Sequence, residues 1–204
     1  MPGYAPSVMV SSPKHVATYE DVVNAPDGMV AELIGGELHL QPRPAKPHAA
    51  AATALGEELG PPFKRGRGGP GGWIILYEPE IHFGANVLVP DLAGWRRERM
   101  PVMTTEEAYF TLAPDWACEV LSPSTLVKDR ARKLPIYAAH GVAHVWLIDP
   151  VQRLLEVLRL EGGRYSIAST HAGAERVRAE PFDAIELDLA VLWADVDLSG
   201  LVQR

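Results

Sequence analysis

The chain has 204 residues, 47% hydrophobic and 22% charged, with a formal charge of −7 and one cysteine. Such a length buries a sizeable core, and the composition excludes a disordered or collagen-like chain. The lone Cys118 excludes an intramolecular disulfide framework and a multi-cysteine zinc site, while the acidic balance excludes a generally basic nucleic-acid-binding surface.

No stretch approaches the roughly 20 apolar residues that span a bilayer, and the N-terminus lacks the continuous apolar region of a signal peptide. A cytoplasmic protein with no membrane attachment is the expectation. Length favours one domain over residues 1–204, led by a flexible, Pro- and Ser-rich segment over 1–17.

TYEDVVNAP predicts a short helix, with Thr18 and Asp21 at capping-box spacing. VAELIGGELHL reads as a hairpin turning on Gly35-Gly36, with Glu32 and Glu37 on either side. PHAAAATALGEELG predicts a helix started by Pro47 and ended by Gly60, and PPFKRGRGGPGG a flexible loop. WIILYEPEIHFG and NVLVPDLAGW read as two strands joined at Gly84-Ala85-Asn86, Pro90 assigning the second to an edge or bulge. TTEEAYFTL carries a second capping box, Thr104 to Glu107, and predicts a short helix.

DWACEVLS is a buried strand, and Val127, Ala131, Leu134 and Ala138 form the apolar stripe of a helix over 125–140, ended by Gly141 and kinked by Pro135. VAHVWLIDP and a hairpin over Gly162-Gly163 follow, then a mixed strand and helix segment. Strands around one strand-helix-strand unit predict an α/β fold with a mixed central sheet flanked by helices.

Glu119 sits inside the apolar run of that buried strand, where a charge costs several kcal/mol unless paired, protonated or metal-bound. Asp91 after Pro90, Glu119, and Asp129 or Lys133 on the following helix can meet in this arrangement. Two carboxylates, a backbone carbonyl and waters form a ligand set that suits Mg²⁺ or Mn²⁺, and such a cation would offset the burial of Glu119.

PDLAGW, the block DWACEVLSPSTLVKDRARKLPIYAAHGVAHVWLIDP, and ELIGGEL followed by His48 together resemble the Uma2 family of the PD-(D/E)XK restriction-endonuclease-like superfamily, over about residues 18–165. The resemblance implies a restriction-endonuclease-like core and Mg²⁺- or Mn²⁺-dependent hydrolysis of phosphodiesters. Asp91 and Glu119 match the metal ligands, with the Val120 carbonyl beside them. The superfamily pattern puts a lysine two residues beyond the glutamate, where this chain has Leu121. Lys133 matches the family's charged helix and takes that role in preference to Lys128, with Asp129 one turn earlier to orient it. Glu32 matches an acidic position before the first hairpin turn.

The implied partner is nucleic acid, DNA in preference to RNA, and analogy with restriction-like folds implies a homodimer. The rivals are a catalytically inactive nuclease-fold module that binds nucleic acid or protein, and a glycosidase using Asp91 and Glu119 as an acid-base pair. Each single residue also has a plain structural reading. Asp91 is a turn former, Lys133 a solvated helix lysine and His48 a helix-start residue, while Cys118, Tyr137 and Trp146 belong in the core. His140 and His144 have zinc-like spacing, but Gly141 between them breaks a shared helix face. The strips KRGRGG and WRRER read either as solvated loops or as surfaces for a phosphate backbone.

Overall fold

The computed structural model describes residues 16–42, 44–122 and 125–196, so most of the expected flexible segment 1–17 lies outside the described residues. The elements begin with α1 (Tyr19–Val23), the hairpin of β1 (Val30–Ile34) and β2 (Glu37–Gln41), and α2 (Lys46–Leu59). Strands β3 (Trp73–Tyr77), β4 (Ile81–Phe83), β5 (Asn86–Leu88), β6 (Leu92–Arg96) and β7 (Trp116–Val120) follow. Helices α3 (Leu126–Lys128) and α4 (Leu134–Ala139) flank a π-helical turn, Asp129–Lys133. Then come β8 (His144–Asp149), β9 (Leu154–Glu161), β10 (Arg164–Ala172), and the short pair β11 (Arg176–Val177) and β12 (Leu187–Asp188), before a 3₁₀ turn Leu189–Trp193.

The fold is mixed α/β with a mixed central sheet. Six strands pair in the order β10-β9-β8-β7-β6-β3, and a second sheet runs β2-β1-β5-β4. Only β7 and β8 are parallel among the pairs of the large sheet, joined through the α3–α4 helix as the sequence predicts. Both Gly-Gly hairpins form, with Gly35 and Gly36 at φ +60° and +76°, the left-handed values a two-residue turn needs.

Three expectations need correction. The two long strands on either side of Gly84 are each broken in two: β3 and β6 pair in the large sheet, whereas β4 and β5 pair in the small one. Glu78 at φ +44° and Pro79 turn the first, and Pro90, with no N–H for a ladder, ends the second. The predicted helix over 104–112 is absent. Phe110 donates its N–H to the Glu80 carbonyl (2.9 Å) and accepts from His82 N–H (2.8 Å), while Tyr109 stacks on His82, 3.7 Å between rings. These tertiary contacts outweigh a capping signal on a segment with no apolar stripe. Gly60 does not stop α2 either: it is right-handed (φ −60°) and opens a π-helical extension, Gly60–Lys64, that buries Pro62 and Phe63.

The large sheet carries two cores. On one face Trp73, Trp116, Cys118, Trp146 and Val157 pack against α2 and the C-terminal segment. On the other, Ala117, Leu121, Val145 and Leu147 pack against Tyr137 of α4 and against Ile81 and Phe83 of the small sheet. Cys118 is fully buried, and burial pushes its thiol well up, so it behaves as a small apolar residue.

Candidate active site

Alternation along β7 sends Trp116, Cys118 and Val120 to the α2 face and Ala117, Glu119 and Leu121 to the α4 face. Glu119 therefore enters the core beneath the helix, 2% exposed. Pro135 explains how that helix meets it. Proline lacks an N–H and its ring clashes with the carbonyl four residues back, so the ladder widens to a π turn over Asp129–Lys133 before α4 begins. The widened turn buries Asp129 and Lys133.

Lys133 is the centre of the site. Its Nζ lies 2.8 Å from Glu32 Oε1, 3.0 Å from Glu119 Oε2 and 3.5 Å from Asp129 Oδ1, and the side chain is 2% exposed. The Tyr137 hydroxyl, one turn on, donates to Glu119 Oε1 at 2.5 Å. Burial opposes the charge of Lys133, but Glu119, Glu32 and Asp129 push its pKa well up, so the ammonium persists. Burial also pushes the Glu119 carboxyl up, against the pull of Lys133 and with the neighbouring carboxylates adding to the rise.

Glu32 comes from β1. Its Oε1 accepts from Val89 N–H (3.0 Å), and its Oε2 from Gln41 Nε2 (2.9 Å) and Lys128 Nζ (2.6 Å). Burial works to raise its pKa, but Lys133 and Lys128 together hold it below the usual carboxylate value.

Asp91 lies just beyond the β6–β7 ladder, whose last paired residues are Leu92 and Cys118. Beyond that last pair the Val120 N–H finds its acceptor in a side chain. Asp91 Oδ2 accepts Val120 N–H at 2.6 Å, and Oδ1 meets His48 Nε2 of α2 at 2.7 Å. Asp91, Glu119, Val120, His48, Lys133 and Asp129 all line one open cleft of about 700 Å³, which Lys128 and Ser122 also border.

Every residue singled out for the site lines this cleft except Glu32, which is fully buried and meets it only through Lys133 and Lys128. Three participants were placed elsewhere by the sequence or missed. Tyr137 reads from the sequence as a packing residue; its i, i+4 spacing from Lys133 is the signal that both share a helix face. Lys128 was ranked below Lys133, but both lysines hold Glu32. Gln41 was legible only through the hairpin register, since Glu32 pairs with His39 and Gln41 lies two residues on, on the same face. His140 and His144 part as expected, His140 bonding Ile136 O (2.9 Å) and His144 facing Glu180 (3.9 Å).

Among the described residues no three His, Cys, Asp or Glu side chains cluster as an ion cage. Asp91 and Glu119 nonetheless reach the cleft as oxygen donors of the kind a hard cation takes. Asp91, Glu119, Glu32 and Asp129 bring four carboxyl groups against the two ammonium groups of Lys128 and Lys133, and Asp91 is tied to the backbone next to Glu119.

The sequence pattern of the Uma2 family, described as "Putative restriction endonuclease", matches residues 16–191. A crystal structure from Anabaena variabilis ATCC 29413, described as "a putative nuclease belonging to DUF820", is similar in fold with a TM-score of 0.68. It is 24% identical, and the match covers 87% of this chain and 97% of that one. No curated protein matches the chain. Among the described residues no helix is long and apolar enough to cross a membrane.

Proposed function

From the premise that this chain belongs to the Uma2 family, we propose that it is a metal-dependent endonuclease hydrolysing phosphodiester bonds in nucleic acid, DNA in preference to RNA. The observation that carries this reading is the position of Lys133. The strand position where the superfamily keeps its lysine holds Leu121, buried in the core, and an ammonium group arrives from the helix at 3.0 Å from Glu119 instead.

Asp91, Glu119 and the Val120 carbonyl are the groups that would hold Mg²⁺ or Mn²⁺. When bound, the cation supplies Lewis-acid polarisation of a phosphoryl oxygen and acidification of water. The chain's own residues then divide the remaining work. Lys133 presents a fixed positive charge to the attacking water and to the charge that grows on the phosphate, as a preorganised donor should. Glu32 and Asp129 hold the Lys133 ammonium, and Lys128 and Gln41 hold Glu32. His48 steadies one oxygen of Asp91 and the Val120 N–H the other, while Tyr137 fixes the Glu119 carboxyl.

In this reading residues 1–204 act as one restriction-endonuclease-like domain, in the cytoplasm where a free buried thiol is stable, and as a homodimer so that two strands can be cut. The second reading is an inactive nuclease-fold module. It is favoured by one observation: both oxygens of Glu119 are already engaged by Lys133 and Tyr137.

The test is incubation of the purified chain with single- and double-stranded DNA and RNA, in Mg²⁺ or Mn²⁺ or EDTA, beside Glu119→Ala. Cation-dependent cutting that disappears in the variant supports the enzyme. A folded protein that cuts none of these substrates with either cation leaves the binding module.

A further inference from the structure

The two basic strips of the sequence come together in the fold. Segments 64–72 and 95–99 hold six cations, Lys64, Arg65, Arg67, Arg96, Arg97 and Arg99, and a single acid, Glu98. They meet at one end of the β3–β6 hairpin, where Trp73 pairs with Arg96 and Arg97 donates its N–H to the Gly72 carbonyl at 2.8 Å. The Arg96 guanidinium lies over the Trp73 ring, 4.6 Å from its centroid.

The loop is shaped in advance. Arg67 N–H bonds Pro61 O and Gly71 N–H bonds Pro62 O, both at 2.8 Å, and Gly69 presses so closely on Pro62 that a Cβ there would come within 2.5 Å of it. Arg65 and Arg67 are thereby held outward on a compact loop. Two of the six cations have other work: Lys64 donates to Ile75 O (2.9 Å), and Arg99 pairs with Asp115 (2.7 Å). Arg65, Arg67, Arg96 and Arg97 are exposed and form no ion pair with a described residue. Glu180, another acid at this end of the sheet, is paired with Arg159 and faces His144.

This lobe is not part of the cleft. Arg96 lies five residues along β6 from Asp91, about 16 Å at about 3.3 Å per residue, which is about five base pairs of duplex. In a chain of charge −7, these four exposed guanidinium groups have, among the described residues, no side-chain partner beyond the Trp73 ring under Arg96. Guanidinium groups are the phosphate-binding groups of choice.

We infer that this lobe is a second nucleic-acid contact, gripping the phosphate backbone of a duplex that extends beyond the cleft. It rests on the reading of the protein as a nucleic-acid enzyme, and it supplies the sequence-independent affinity that the acidic remainder withholds.

The experiment uses the full chain in EDTA, so that nothing is cut, and follows the fluorescence anisotropy of a labelled duplex of about 30 base pairs from about 50 to 200 mM KCl. In the variant Arg65→Gln/Arg67→Gln/Arg96→Gln/Arg97→Gln, Kd is expected to rise at least about tenfold, and the slope of log affinity against log salt to flatten by about 3 to 4. Arg65→Gln/Arg67→Gln alone, which leaves the Arg96–Trp73 stack intact, should give about half that flattening. A matched RNA duplex identifies which nucleic acid the lobe prefers, and weakened binding to either supports it. Unchanged Kd and slope in both variants would overturn it. A wild-type chain that ignores both duplexes would overturn it too, in favour of an acidic protein partner. Binding through the lobe without cutting in Mg²⁺ would sink the nuclease reading alone; cutting with binding untouched by the substitutions would sink the lobe alone.

Discussion

The two faces of the six-stranded sheet are built from alternate residues of the same strands, and they differ in kind. Against α2 the contacts are apolar and aromatic. Phe182 touches Phe63, Trp73, Trp116 and Trp146 at ring-centroid distances of 4.7 to 5.6 Å, and Gly94 is small because a Cβ would come within 3.2 Å of both Trp73 and Trp116. Against α4 the same sheet supports Glu119 among Glu32, Asp129 and Lys133, which are the buried charged residues among those described. One face supplies cohesion through area and close packing. The other holds a buried ionic cluster that stability alone would not favour, since apolar replacements of such clusters are often neutral or stabilising. Four buried ionisable groups kept together on one face are what the proposed active site would need.

Lys133→Met should separate the faces most sharply. It leaves Glu32, Glu119 and Asp129 facing one another without their shared cation, and urea unfolding should show a loss of about 3–5 kcal/mol. Adding Glu119→Gln and Asp129→Asn, which leaves Glu32 paired with Lys128, should restore most of that loss, because the carboxylates whose ion pairs are with Lys133 alone go with the lysine. No recovery would mean that Lys133 stabilises through its packed stem and not its charge.

Phe182→Ala, on the opposite face, should cost about 3 kcal/mol through the cavity it opens. Its cleavage rate per folded molecule should stay at the wild-type value, and a drop would show that the aromatic core shapes the site.

Tyr137→Phe deletes one donor to Glu119 and keeps the ring. About 1–2 kcal/mol of stability should go, visible as a lower midpoint in thermal unfolding.

The smallest effect concerns acid. Glu32 is held below its unfolded pKa of about 4.3, so its contribution to stability is complete above that pH and lost as pH falls through the lower folded value. Glu32→Gln should flatten the stability profile below about pH 4.3, and an unchanged acid limb would show that Lys133 and Lys128 do not govern its ionisation.

Much of this was legible from local chemistry. A glutamate within an apolar strand announced a compensating partner, and Gly-Gly pairs fixed both hairpins and hence the position of Glu32; the 4, 3, 4 stripe located the following helix but not its buried face, since Val127 and Ala131 are exposed and Asp129, Lys133 and Tyr137 are buried instead. What was not legible depended on contacts distant in sequence. The division of the strands on either side of Gly84 between two sheets hinges on Glu78, Pro79 and Pro90, whose roles become clear only when β1 is seen to pair with β5. The stretch over 104–112 satisfies its backbone against Glu80 and His82, a choice no capping signal reveals. The π turn around Pro135 was anticipated as a kink, but its effect, turning Asp129 and Lys133 inward together, is a property of the widened helix.

The most direct measurement is the single-turnover rate of cleavage of one duplex DNA in Mg²⁺, compared between the wild-type chain and Lys133→Met under conditions where both are folded. A lysine brought from the helix to replace the missing strand lysine predicts a fall of about a hundred- to a thousandfold, with EDTA abolishing the wild-type rate. Cutting by Lys133→Met at the wild-type rate would contradict the assignment of Lys133 to the chemistry of this site.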